Sequence, residues 1–297
     1  MRATGWCWLV PFVRVGGCTK KESAAGSRTS LQTFVVEGTI RELKPDGKTA
    51  VIKHEAISNY MDAMTMPFRA KATIELGGLL PGDIVTFRLS VSETESWIDQ
   101  VKKTGRTNVP IVPVVPETAP APAPAEPLNI VEGLSAYTFT NEFGQPLRFS
   151  QFKGQAIGLT FFFTRCPIPE YCPRLTKNFA SATRKLESMP GAPTNWHFFS
   201  ISFDTKADSP AVLRAFANAY GYDSNRWTFL AASPETISTV TGNFGFNFKP
   251  DDGIFAHNFL TVVLDANGFW HAAWPIGGDT SDNLVQEIIK AAMPEKK

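Results

Sequence analysis

AIGLTFFFTRCPIPEYCPRL, residues Ala156–Leu175, begins as an unbroken apolar run and ends on two cysteines and a proline. A run such as AIGLTFFFT suits a central strand buried on both faces. Pro173, directly after Cys172, marks the first turn of a helix. Leu175, Phe179, Ala182, Leu186 and Met189 then continue at helical spacing. Cys166 and Cys172 therefore fall between a buried strand and a helix N-terminus, where unpaired amides and the helix dipole favour thiolate over thiol. Five residues separate them, so the pair is not a C-x-x-C dithiol, and no second pair completes a structural zinc site. Three readings stay open at this point: a structural disulfide, a redox couple, or part of a soft-metal site with a further ligand elsewhere.

The residues around this stretch predict alternating strands and helices. AYTFTNEFGQPLRF reads as a hairpin with a Gly turn, and WHFFSISFD as a second buried strand. Ser209-Pro210 and Ser233-Pro234 each supply an N-cap and a first-turn proline. RWTFLAA, the pair HNFLTVVLD and GFWHAAW turning at Asn267-Gly268, and a last helix complete the series. A β-hairpin, then βαβα, then a hairpin and a helix is a thioredoxin-like order, and it is expected over residues 128–295. Redox enzymes of that fold place a cis-Pro before the strand that faces their cysteines. Here Ala256-His257 stands at that junction. A neutral imidazole facing two thiolates would make an N/S₂ site suited to copper. His197 and His271 read as structural strand residues.

The runs FFFTRCP…CPRL, FSISFDTKADSPAVLRAFANAYG and AHNFLTVVLDANG resemble the Sco/SenC family of copper chaperones, thioredoxin-fold proteins that serve cytochrome c oxidase assembly. The resemblance implies copper ligands at Cys166, Cys172 and His257, with copper held as Cu(I) or also as Cu(II). Two features depart from the family pattern. The family usually has three residues between its cysteines where this chain has five, and Asp-Pro where this chain has Asp204-Thr205.

Upstream, residues 33–105 predict a small all-β barrel of the oligonucleotide-binding (OB-like) topology. TFVVEGTIREL and TAVIKHEAI flank Asp46-Gly47, a strong hairpin signal. TMPFRA, DIVTFRLSV and SWIDQVKK supply the remaining strands. Five methionines follow Met1, and three of them fall at 61, 64 and 66. Met64 and Met66 share one face of a strand, Met61 sits on the preceding turn, and His54 lies on a neighbouring strand. One imidazole and up to three thioethers would select Cu(I). Core filling is the competing reading for any single Met. H…M-T-M-P-F resembles periplasmic CusF-like copper-binding domains, which implies His54, Met64 and Met66 as ligands. Met61 stands where those domains often carry a capping Trp and is expected to be a fourth ligand, with Trp97 in the core.

The two modules are joined by a proline-rich linker, residues 106–127, whose NVPIVPVVPETAPAPAPAEP reads as a semi-rigid spacer. At ~3.1 Å per residue it could separate its flanks by up to roughly 60 Å. The chain of 297 residues has a formal net charge of +1 and no basic run, which argues against a nucleic-acid partner. Residues 1–18 resemble a bacterial lipoprotein signal, with Val15-Gly16-Gly17 before a lipidated Cys18. No later segment approaches the ~18 apolar residues of a membrane span. The expectation is an extracytoplasmic, periplasmic copper chaperone anchored to the membrane by lipid, delivering to an apo copper protein such as a cytochrome c oxidase subunit. The alternative is a thiol-disulfide oxidoreductase that reduces the cysteines of such an acceptor. A peroxidase is disfavoured, since LTFFFTRC lacks the Pro-x-x-x-Thr-x-x-Cys run.

Overall fold

A computed structural model describes Met1 and residues 31–107, 129–251, 254–275 and 278–293. The expected signal segment with Cys18 and the proline-rich linker from Asn108 onward lie outside the described residues. Five strands form the first domain: β1 (Gln32–Leu43), β2 (Thr49–His54), β3 (Met64–Arg69), β4 (Asp83–Val91) and β5 (Ser96–Arg106). They pair antiparallel in the order β3-β2-β1-β4-β5. A parallel bridge between Ala70 and Ile98 brings the β3 and β5 edges together and closes the barrel. The β1–β2 turn forms as its sequence predicts: Asp46 Oδ1 accepts from the amides of Lys48 and Thr49, and Gly47 takes φ +64°.

The second domain runs α1 (Ile130–Leu134), β6 (Phe139–Asn141), β7 (Pro146–Leu147), β8 (Ala156–Phe162), α2 (Cys172–Ser188), β9 (Trp196–Ser202), α3 (Pro210–Ala219) and β10 (Trp227–Ala231). It continues through α4 (Pro234–Asn243), β11 (Phe248–Asp251), β12 (Ile254–His257), β13 (Thr261–Leu264), β14 (Trp270–Trp274) and α5 (Ser281–Ala292). Seven strands make one sheet, β14-β13-β8-β9-β10-β6-β7, in which β8, β9 and β10 are parallel and β13 is antiparallel to β8. Every residue of β8 and β9 is buried, which is why both read as continuous apolar runs. Each fully buried Phe in β8 contributes roughly 1.5–3 kcal/mol through its removal from water. Ser209 and Ser233 cap α3 and α4 by accepting from Val212 and Thr236, each with Pro at the first turn. Among the described residues no helix is long and apolar enough to cross a membrane.

One element departs from the reading of the sequence. The segment before His257 forms a separate two-stranded ribbon, β11–β12, whose last pair is Phe248 with His257. In sequence, Asp252-Gly253 separates the two strands.

Candidate metal centres

In the barrel, strand register assembles the soft side chains. His54 is directly opposite Met64 across β2–β3, and Ile52 is opposite Met66, so Met66 is the diagonal neighbour of His54. A bridge between Ile57 and Met61 folds the intervening turn so that Met61 returns to the same region. All four are withdrawn from water: His54 is 1% exposed, Met64 2%, Met66 6% and Met61 9%.

The ring of His54 has a defined tautomer. Nδ1 lies 2.6 Å from the Glu55 carbonyl, which can only accept, so Nδ1 carries the proton. Nε2 is left with a bare lone pair, buried and without a hydrogen-bond partner. Burial holds the imidazole below its ordinary pKa, against the Glu55 carbonyl, which favours the charged form. A neutral imidazole nitrogen among three buried thioethers is a donor set for a soft monovalent ion. Phe68 stands edge-on to the ring at 5.4 Å. Trp97 is half-buried on β5 with the Lys71 ammonium 5.9 Å from its ring centre, rather than fully in the core.

Gly38 makes this approach possible. It faces His54 across β1–β2, and a Cβ there would lie 2.6 Å from Ile52 Cγ2 and 2.7 Å from the Lys53 carbonyl oxygen. Gly38→Ala must push β2 away from β1. A loss of about 1–3 kcal/mol is expected, read as a lower urea midpoint for unfolding of the barrel.

In the second domain the cysteines meet where β8 leads into α2. Both are free and buried. Cys166 is 8% exposed and Cys172 0%. Burial opposes ionisation of Cys166. The Cys172 thiol and the amides of Ile168 and Cys172 donate to its sulfur and carry its pKa below the ordinary value. Cys172 is pushed well above the ordinary value, by burial first and then by Cys166. The pair is therefore asymmetric: Cys166 is the sulfur that ionises more readily, and Cys172 is the thiol that supports it.

The backbone ahead of Cys166 is pinned from the turn between β9 and α3. Asp208 accepts from the Thr164 amide at 3.0 Å, the Thr164 hydroxyl at 2.5 Å and the Ser202 hydroxyl at 2.6 Å. Arg165 pairs with Asp204 at 2.7 Å. Neither acid is marked by periodicity, although Asp204 stands at the position where the family usually has Asp-Pro. The KADSP turn that carries Asp208 is its only local signal.

His257 ends β12 inside an aromatic cage, with ring centres of Phe259 at 4.5 Å, Phe203 at 5.0 Å, and Phe163 and Phe246 at 5.8 Å. Its Nδ1 donates to the Asn258 carbonyl at 2.8 Å, leaving Nε2 as the donor nitrogen. Burial lowers its pKa to about 4, so the ring is neutral at physiological pH. Among the described residues, no three His, Cys, Asp or Glu side chains stand close enough together to hold a metal ion. Cys166 and Cys172 meet each other, whereas His257 stays in its cage. A three-ligand site at these residues therefore requires the β11–β12 ribbon or the cysteine loop to move.

Residues 129–293, more than half of the chain, match the SCO1/SenC family model. The chain belongs to the SCO1/SenC family. Residues 33–103 match the model for the copper binding periplasmic protein CusF, so this SCO1/SenC protein carries a CusF-like domain at its N-terminal side. It is 25% identical over 144 residues to the mitochondrial SCO2 homolog of Mus musculus, covering 46% of this chain and 54% of that protein. It is 29% identical over 105 residues to the SCO1 protein homolog of Bacillus subtilis, covering 35% and 51%. The chain spans about half the length of these curated relatives. The crystal structure of a SCO1/SenC family lipoprotein from Bacillus anthracis aligns with a TM-score of 0.49 at 24% identity, covering 59% of this chain and 98% of that one.

Two further histidines of this SCO1/SenC chain are structural, as their strand context predicts. His197 is buried against the Thr228 hydroxyl at 2.8 Å, and burial lowers its pKa to about 3. His271 pairs with Glu287 at 3.0 Å. Sequence reasoning missed Tyr60, Ser96 and Glu170. Each makes a contact between the two domains, although the linker is long enough to hold those domains apart.

Proposed function

We propose that this chain is an extracytoplasmic copper chaperone. It takes up Cu(I) at His54, Met61, Met64 and Met66, holds copper at Cys166, Cys172 and His257, and delivers it to an apo copper protein of cytochrome c oxidase assembly. The observation that carries the reading is the His54 Nε2 lone pair, buried without a partner among three buried methionines. An orphaned buried acceptor costs on the order of 1–3 kcal/mol, and a soft cation relieves that cost. The CusF match over the same residues supports copper as the ion. Val15-Gly16-Gly17-Cys18 supports a lipid tether at the membrane. Anaerobic titration of the reduced full chain with Cu(I) should reach two equivalents, and one or none refutes the two-site reading. A mature N-terminus whose mass corresponds to unmodified Met1 refutes the tether.

The thiol pairing of Cys166 with Cys172, apart from His257, favours a second reading as a thiol-disulfide oxidoreductase. In that reaction the Cys166 thiolate attacks one sulfur of an acceptor disulfide and displaces the other as thiolate. Cys172 then loses its proton and attacks Cys166, releasing the second acceptor thiol. Two electrons pass to the acceptor, and the chain is left with a Cys166–Cys172 disulfide. Copper and disulfide compete for the same sulfurs, so one pair can serve both.

A further inference from the structure

The loop that departs from the family spacing is also the place where the barrel touches the second domain. The Tyr60 hydroxyl donates to the Pro167 carbonyl at 2.6 Å. The Glu170 carboxylate accepts from both the amide and the hydroxyl of Ser96. From the helix that follows, the Arg174 guanidinium donates to the Thr94 carbonyl at 3.1 Å, and the Lys177 ammonium to the Glu93 carbonyl at 2.8 Å. Elsewhere between the domains, β12, which carries His257, lies beside β3, which carries Met64 and Met66. The hydrogen bond from Tyr60 to Pro167 is one residue from a candidate ligand at either end, because Met61 follows Tyr60 and Cys166 precedes Pro167.

We infer that the five residues between Cys166 and Cys172 form a docking seat for the chain's own barrel, latched by Glu170 on Ser96 and Tyr60 on Pro167, which sets the two soft-metal centres face to face for direct transfer. This rests on the copper reading above. Pro167 is the first residue of the loop and Glu170 the fourth, so the two contacts span one position more than the three residues usual in the family. The transfer is ligand exchange without redox: Cu(I) leaves thioether and imidazole for thiolate, and protons of the cysteine thiols go to solvent. A cleft of about 390 Å³ lies beside these hydrogen bonds, lined by Glu93 of the barrel and by Pro167, Pro169, Lys177 and Tyr220 of the second domain. The docked barrel covers the cysteine loop, so an external acceptor gains the cysteines when the barrel swings away on its linker.

The test uses the reduced full chain and three variants: Ser96→Asp, Glu170→Lys, and both together. Small-angle X-ray scattering of the metal-free protein reads closure. Wild type should scatter as one closed particle. Ser96→Asp sets carboxylate against carboxylate, and Glu170→Lys removes the acceptor, so each should shift the closed-to-open ratio by about tenfold or more. The combined variant again sets opposite charges together and should recover closed scattering, which a misfolded domain would not. After addition of one equivalent of Cu(I), growth of the thiolate-to-copper absorption should be independent of protein concentration in wild type. It should be roughly tenfold slower in each single variant, and restored in the combined one. An open wild type, or single variants that scatter and transfer like wild type, overturns the docking seat. If the chain binds no Cu(I), the copper reading fails while scattering still decides the docking. If it binds two equivalents and is open, the docking fails and the copper reading stands.

Discussion

Replacing Met64 and Met66 together by Leu should lower Cu(I) affinity of the barrel by about four orders of magnitude, if a binding free energy on the order of 12 kcal/mol is shared evenly among four ligands. The measurement needs Cys166→Ser and Cys172→Ser in the same full chain, so that competition with a Cu(I) chelator reports the barrel alone. Leu keeps the volume and apolarity of Met, and such swaps usually cost under about 1.5 kcal/mol each, so the fold should survive. The two thioethers lie on the β3 face that meets His54 and are almost wholly buried. A core-filling role would be satisfied by Leu just as well, which makes the substitution decisive. A fall of less than about tenfold would assign the methionines to packing alone. The same site should keep its copper as pH falls from 7 to 6. An exposed imidazole begins to gain protons in that range, whereas burial lowers the pKa of His54 and so opposes its protonation there.

Much of this could be read from residues with a period or a punctuation mark. AIGLTFFFT announced β8 because a parallel strand covered on both faces has no polar alternation. Asp46-Gly47, Ser209-Pro210 and Ser233-Pro234 announced a turn and two helix starts through their own backbone chemistry. The barrel ligands were legible because period two in β3 puts Met64 and Met66 on one face, and a short hairpin brings His54 opposite them. The tautomer of His54 was not legible, since it depends on where the Glu55 carbonyl lands. The bracing roles of Asp208 and Asp204 were missed for a similar reason. A lone acid becomes a brace for Thr164 or Arg165 only when β9 lies beside β8. The contacts of Tyr60, Ser96 and Glu170 are the extreme case, since they join positions 74 and 107 residues apart across a linker that carries no instruction to fold back.

Cys166→Ser and His257→Leu should separate the two chemistries of the second domain. A Ser hydroxyl is not ionised near neutral pH and is a poor ligand for a soft metal, so Cys166→Ser should lose both copper at this site and exchange with a small aromatic disulfide. The exchange rate should fall by more than about a thousandfold, because the displaced nucleophile is the thiolate that Cys172 and two amides stabilise. Cys172, fully buried and held as thiol, cannot replace it. His257→Leu should leave exchange within roughly threefold of wild type, because the ring stands in its aromatic cage outside the thiol pair and takes no proton from it. Leu is chosen over Ala because emptying the cage would cost about 3 kcal/mol and confuse the readout. Copper affinity at the cysteine site should nevertheless drop by roughly a thousandfold in His257→Leu, the share of one ligand in three of about 12 kcal/mol. If copper affinity is unchanged in that variant, the histidine belongs to the cage alone, and the cysteine pair is a redox couple that binds metal only incidentally. If instead exchange collapses along with copper, His257 reaches the thiols in solution, and the ribbon that carries it moves onto them before either reaction.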